Sequence, residues 1–114
     1  MTVFIPNKGG HDYSDAQRFG ELVYITSGTI NTFDLNHFRD QAYAAMFLAT
    51  PDDYVLISGP SSTCAITVAI MAAKFGRVNL LIYQRSKYVH KHVQLCASME
   101  SGNETIRQHK DERS

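Results

Sequence analysis

The fold is decided by the stretch Tyr54-Val-Leu-Ile-Ser-Gly-Pro-Ser-Ser-Thr-Cys64, in which an apolar strand passes through a Ser-Gly loop into a helix that ends near Phe75. An earlier stretch, Leu22-Val-Tyr-Ile-Thr-Ser-Gly-Thr29, has the same form and leads to a helix that begins near Asp34. Strands that feed helices in this way lie parallel, so we expect both loops at the same edge of one sheet. Open α/β sheets bind their ligands at that carboxyl edge.

The other apolar segments complete a small Rossmann-like sheet. We predict strands over 2–6, 21–26, 54–58, 78–84 and 88–95, the last two joined by a turn at Arg85-Ser-Lys87. The predicted fold is therefore α/β, with about five strands, mostly parallel, a C-terminal β-hairpin and two main helices. Residues 1–97 form a single domain in this prediction, and residues 98–114 form a polar tail that is flexible or a frayed helix.

The ends of both helices have sequence signals. Asp34 is expected to cap the first helix, and Thr50-Pro-Asp-Asp53 is expected to stop it, since proline cannot continue a helix. Ser62 or Thr63 is the predicted cap of the second helix, and Gly76 is its predicted end in a left-handed conformation.

Composition narrows the class of protein. The chain has 114 residues, a formal net charge of zero and a basic excess only from Arg85 to His92, which disfavours nucleic-acid binding. Its two cysteines, Cys64 and Cys96, form no C-x-x-C pair, and the longest apolar run, 65–73, is too short to span a membrane. No leader pattern opens the sequence. We therefore expect a cytoplasmic protein without membrane contact, in the host cytoplasm if the protein is viral.

The Ser-Gly loops predict a site for an anionic ligand. Helix amino termini attract anions, glycine lets the backbone approach a ligand, and hydroxyl groups add donors. The motifs of P-loops and of dinucleotide-binding loops are absent. The other interpretation is that these residues only terminate strands and cap helices. The predicted ligand-binding residues lie in three loops: Lys8, His11 and Asp12; Thr26, Ser27, Gly28 and Thr29; and Ser58, Gly59, Ser61, Ser62 and Thr63.

Two further features have a chemical and a structural interpretation. Cys64 lies near a helix amino terminus, where a thiol can become a nucleophile, but small buried cysteines are common at such positions. His90 and His92 project from one strand face and could share a metal, yet the sequence offers no complete ligand set, so a solvated or interface face is favoured. We therefore assign no catalytic residue, metal or cofactor.

The second helix, 63–75, is apolar on nearly every side and needs cover on all of them. The first helix could supply part of that cover. Either the C-terminal tail or a second subunit could supply the rest. Because the tail is strongly polar and small alanine-rich faces permit close helix packing, we predict self-association through Ile66, Ile70 and Met71.

These observations favour a small binding protein, not an enzyme, that holds a nucleotide or another phosphorylated small ligand at the Ser/Gly loops. The alternative is an oligomeric protein–protein interaction or inhibitor module, such as a viral or mobile-element accessory protein. That module would act through the apolar helix and the basic hairpin.

Overall fold

The computed structural model describes residues 1–29 and 34–95. Its strands are β1 (Thr2–Lys8), β2 (Glu21–Ser27), β3 (Tyr54–Leu56), β4 (Arg77–Gln84) and β5 (Lys87–Gln94). Its helices are α1 (Leu35–Ala45) and α2 (Ser61–Phe75), and a 3₁₀ helix (Ser14–Arg18) lies between β1 and β2. The predicted tail, 98–114, lies outside the described residues.

The five strands form one sheet in the order β2-β1-β3-β4-β5. The pairings of β1 with β2, β1 with β3 and β3 with β4 are parallel, and β4 with β5 is antiparallel. The predicted α/β class, the five strands, the two main helices and the C-terminal hairpin are confirmed. The connection from β1 leads to β2 on one side of the sheet, and the connection from β3 leads to β4 on the other side. This reversal makes the carboxyl ends of β1 and β3 the switch point of the sheet, where ligands of open α/β folds bind.

Each face of the sheet has its own apolar cluster, because side chains alternate along every strand. Phe4 and Val55 face α1 and α2, which contribute Phe38 and Met71 to that cluster, and Met46 joins it just after the end of α1. The opposite face packs against the 3₁₀ helix and the loop before it. Its cluster comprises Val3, Ile5, Tyr13, Ala16, Leu56, Leu81 and Tyr88.

The structure confirms one predicted end of each helix. The Asp34 side chain accepts a hydrogen bond from the His37 backbone N–H at 3.1 Å, as expected of a cap. At the end of α2, Gly76 has a φ of 70°, the left-handed conformation expected there.

The other two predicted ends are wrong. α1 ends at Ala45, a turn before Thr50, and the Lys74 Nζ donates to the Met46 carbonyl at 2.9 Å just beyond that end. α2 begins at Ser61 with Pro60 as its cap, so Ser62 and Thr63 lie inside the first turn. The Thr63 hydroxyl donates to the Pro60 carbonyl at 2.9 Å instead of capping a backbone N–H.

Among the described residues, no helix has both the length and the apolar character needed to cross a membrane.

Candidate functional site

A cavity of about 390 Å³ opens at the switch point of the sheet. Three segments enclose it: the loop after β1, the loop after β3, and the two strand ends beside the β4–β5 turn. Its lining residues are His11, Asp12, Ile57, Ser58, Gly59, Tyr83 and Tyr88. The cavity therefore lies where the parallel strands predicted a ligand site.

Tyr13 joins the first two of these segments. Its ring is buried, and its hydroxyl accepts a hydrogen bond from the Gly9 N–H at 2.9 Å. The same hydroxyl lies 2.8 Å from the Ser58 Oγ and shares a hydrogen bond with it. Because Tyr13 and Ser58 come from different loops, this contact fixes the spacing of the two sides of the cavity.

Gly59 brings the β3–α2 loop against β1. Its φ is +101°, and a Cβ built on it would lie 2.9 Å from the Asn7 Cβ. That approach requires a glycine, since any other residue would both adopt a left-handed backbone and collide with a neighbouring strand. The backbone of Gly59, which forms part of the cavity, therefore lies in van der Waals contact with β1.

An aromatic wall closes the side of the cavity formed by the hairpin. Tyr83 and Tyr88 pair across β4 and β5, with ring centroids 5.2 Å apart in an edge-to-face arrangement. Burial, followed by the neighbouring tyrosines Tyr13 and Tyr83 and by carboxylates, raises the pKa of Tyr88 to about 12. Tyr88 is therefore a neutral hydrogen-bond donor at physiological pH, whereas Tyr83 remains 58% exposed and offers a ring face to a ligand.

The 3₁₀ helix holds Tyr88 in place through its backbone. The Asp15 carboxylate accepts from the Tyr88 N–H at 2.8 Å, and the Arg18 guanidinium donates to the Tyr88 carbonyl. Both backbone groups of Tyr88 that point away from β4 are thereby satisfied. The aromatic wall is anchored on two sides.

Asp12 is the charged group of the lining. The Ser14 backbone N–H donates to its Oδ1 at 2.9 Å, and hydrogen bonds from Ser14 lower the pKa of the Asp12 carboxyl. None of the lining residues is lysine or arginine. A phosphate in this cavity would therefore have to lie away from Asp12, towards the Gly59 side and the amino terminus of α2.

The cavity brings together four of the predicted ligand residues: His11, Asp12, Ser58 and Gly59. Ser61 and Ser62 lie in the first turn of α2, just beyond Gly59. Thr63 is fully buried and does not line the cavity.

The remaining predicted residues do not line this cavity: Lys8 is the last residue of β1, and the others lie at the end of β2 or just after it. The Thr26 Oγ1 lies 2.7 Å from the Pro6 carbonyl oxygen and 3.0 Å from the Asn7 Oδ1, and the two acceptors share its one proton. The Lys8 Nζ lies 4.9 Å from the centre of the Tyr24 ring. Ser27, the last residue of β2, is exposed, as are Gly28 and Thr29 after it.

Sequence reasoning missed four residues of the site: Tyr13, Ile57, Tyr83 and Tyr88. A signal for two of them was present. A two-residue turn at Arg85 and Ser86 pairs Gln84 with Lys87. The next pair along the hairpin, away from the turn, is then Tyr83 with Tyr88.

The structural interpretation of Cys64 is the one that its surroundings favour. The thiol is buried and donates to the Ser58 carbonyl, with the Sγ 3.5 Å from the oxygen. Burial raises the pKa of the Cys64 thiol, which disfavours the nucleophilic thiolate.

His90 and His92 both contact Asn79. The Asn79 Oδ1 lies 2.7 Å from the His92 Nδ1 and 3.3 Å from the His90 Nε2. Its Nδ2 donates to the carbonyls of Pro51 and Asp53, which fixes the orientation of the amide. In the described part of the chain, no group of three His, Cys, Asp or Glu side chains is arranged to hold a metal ion.

The predicted interface residues are mostly buried within the chain itself. Met71 is 0% exposed, Ile70 is 5% exposed and Ile66 is half-buried, all packed in the helix-side cluster. Besides Ser61 and Lys74 near its two ends, the exposed positions of α2 are Ala65, Ala69 and Ala73. A shallow groove of about 330 Å³ runs between the two helices, lined by Leu35, Asn36, Arg39, Tyr43, Ile66, Ala69, Ile70 and Ala73.

Comparison with known proteins supplies a family. The model of the family described as phage Pam3 gp32-like protein matches residues 1–97, the segment that forms the predicted domain. Searches of curated proteins and of solved structures gave no match. The match spans most of the chain, and the protein therefore belongs to the phage Pam3 gp32-like family.

Proposed function

We propose that this phage-family protein binds a nucleotide, or a similar phosphorylated ligand with a planar ring, in the switch-point cavity. The observation that carries this proposal is the cavity of about 390 Å³ at the carboxyl ends of β1 and β3, because open α/β sheets bind small ligands at that position. Its proposed place of action is the host cytoplasm.

The two sides of the cavity suit different parts of such a ligand. Tyr83 and Tyr88 supply an aromatic wall for a planar ring. Asp12 can accept hydrogen bonds from ring amines or sugar hydroxyls. The Ser58 hydroxyl can donate a hydrogen bond or accept one.

The phosphate is assigned to the amino terminus of α2. This helix has Pro60 as its cap, and no capping side chain accepts a hydrogen bond from the backbone N–H groups of its first turn, so these groups are open to an acceptor. The exposed hydroxyl of Ser61 stands beside them. These donors supply the positive potential that the lining of the cavity lacks.

Thermal unfolding in the presence of ligands tests the proposal. A panel of ribo- and deoxyribonucleotides, the matching nucleosides and inorganic phosphate would be titrated against the protein. We expect nucleotides to raise the melting temperature more than nucleosides do. Ser61→Asp should weaken the nucleotide effect and leave the nucleoside effect in place, since the new carboxylate would repel only the phosphate. No stabilisation by any member of the panel would reject the proposal.

A second proposal is self-association through the groove between α1 and α2. The half-exposed Tyr43 ring and the alanine positions of α2 form an apolar surface that a second copy could cover. Light scattering should then give a dimer or larger species, and Ala69→Glu should give a folded monomer. A monomeric wild-type protein at high micromolar concentration would contradict this proposal.

A further inference from the structure

The strand β5 forms one edge of the sheet, and its ladder with β4 shows which backbone groups point outwards. The Leu95 N–H donates to the Gly76 carbonyl at 2.9 Å. In an antiparallel ladder every second residue bonds to the neighbouring strand, so residues 87, 89, 91 and 93 form the hydrogen bonds to β4. The backbone groups of Tyr88, His90 and His92 therefore point away from the sheet.

The first of these outward positions is blocked and the next two are open. Asp15 and Arg18 satisfy the N–H and the carbonyl of Tyr88, as an added strand would. Within residues 1–29 and 34–95, the outward N–H and carbonyl groups of His90 and His92 have no hydrogen-bond partner. Open edge groups of this kind are templates for a further strand.

The side chains of β5 determine which strand would fit. From residue 85 to residue 94 the chain contains Arg85, Lys87 and Lys91 and no acidic residue. One face of β5 carries, in order, Lys87, Val89, Lys91 and Val93. Val93 is 36% exposed. The opposite edge of the sheet, β2, begins with Glu21 and contains neither lysine nor arginine, so only the β5 edge is basic.

We propose that the β5 edge binds an extended acidic peptide segment of a partner protein, which pairs with His90 and His92 as a sixth strand. Backbone hydrogen bonds would supply affinity, and acidic and apolar side chains at alternate positions of one face would match Lys91 and Val93. Two copies of β5 would bring two basic strands together, so the edge fits an acidic partner better than a second copy of itself.

The first experiment uses a labelled peptide made of three Glu-Thr-Val-Thr repeats, with binding measured by fluorescence anisotropy. His92→Pro removes the outward N–H, and its matched control, His92→Ala, loses the same imidazole contact with Asn79 but keeps the N–H. Proline is tolerated at outward positions of edge strands, so both variants should fold. We expect His92→Ala to bind as the wild type does and His92→Pro to bind about tenfold more weakly.

A charge reversal tests the same site without proline. Lys91→Glu should lose the acidic peptide and gain the peptide that carries lysine in place of glutamate, whereas Gln41→Glu at an exposed position of α1 should change neither. Equal binding by the proline and alanine variants would overturn the proposal. So would the absence of peptide binding, or binding of single-stranded oligothymidylate in preference to the peptide.

Discussion

At the scale of single residues, Gly59 and Gly28 differ in a way that a simple substitution can measure. Both have positive φ, +101° and +74°, but a Cβ would collide with Asn7 only at Gly59, while at Gly28 nothing lies within 4 Å. Gly28→Ala should cost about 1 kcal/mol of unfolding free energy, from backbone strain alone. Gly59→Ala should cost roughly 1–3 kcal/mol more, because overpacking is added. Urea unfolding of both variants measures the difference, and equal losses would show that the close approach to Asn7 is unimportant.

Tyr88 predicts a loss of stability in alkali. Its pKa is about 12 in the folded protein and near 10 when unfolded, so the unfolded chain releases this proton first as the pH rises. The contribution of Tyr88 is therefore fully present below pH 10 and is lost as the pH approaches 12. Melting temperatures from pH 9 to pH 12 should fall less steeply for Tyr88→Phe than for the wild type. Tyr43→Phe, at an exposed ring, should follow the wild-type curve. A Tyr88→Phe curve identical to the wild-type curve would contradict the raised pKa of Tyr88.

At the scale of elements, the turn of the hairpin is made of residues that its geometry disfavours. Arg85 and Ser86 both have positive φ, 50° and 70°, as a two-residue turn of this kind requires. Replacing Ser86 with glycine should stabilise the protein by about 1 kcal/mol. For a domain of this size the melting temperature should rise by roughly 4–8 °C. An unchanged or lower melting temperature would show that the turn is not strained at this position.

The elements themselves were largely predictable, and their ends less so. Alternation and helical spacing identify β1 to β5 and the two helices because burial on one or both faces controls those patterns. The end of α1 was not predictable, since Lys74, distant in sequence, binds the carbonyl of Met46. The start of α2 depends on the proline at position 60, which fixes the backbone one residue before Ser61 and leaves the hydroxyls of Ser62 and Thr63 without a capping role.

At the scale of the whole molecule, the sequence predicted the edge of the sheet that carries the cavity and only part of its lining. His11, Asp12, Ser58 and Gly59 follow β1 and β3, so parallel pairing was enough to bring them together. The order of the strands was not evident from sequence, and that order separates the loop after β2 from the cavity. The aromatic wall depends on the hairpin folding beside β3, a long-range arrangement that local patterns do not contain.

Calorimetric titration of variants in the aromatic wall tests the account most directly. The ligand is the nucleotide that raises the melting temperature most in the thermal panel. Tyr83→Ala should weaken binding about tenfold or more, because one stacking surface is lost. Tyr43→Ala, which truncates a similarly exposed tyrosine on α1, should bind as the wild type does. Equal affinity of the two variants for the nucleotide would contradict the placement of the ligand site in the switch-point cavity.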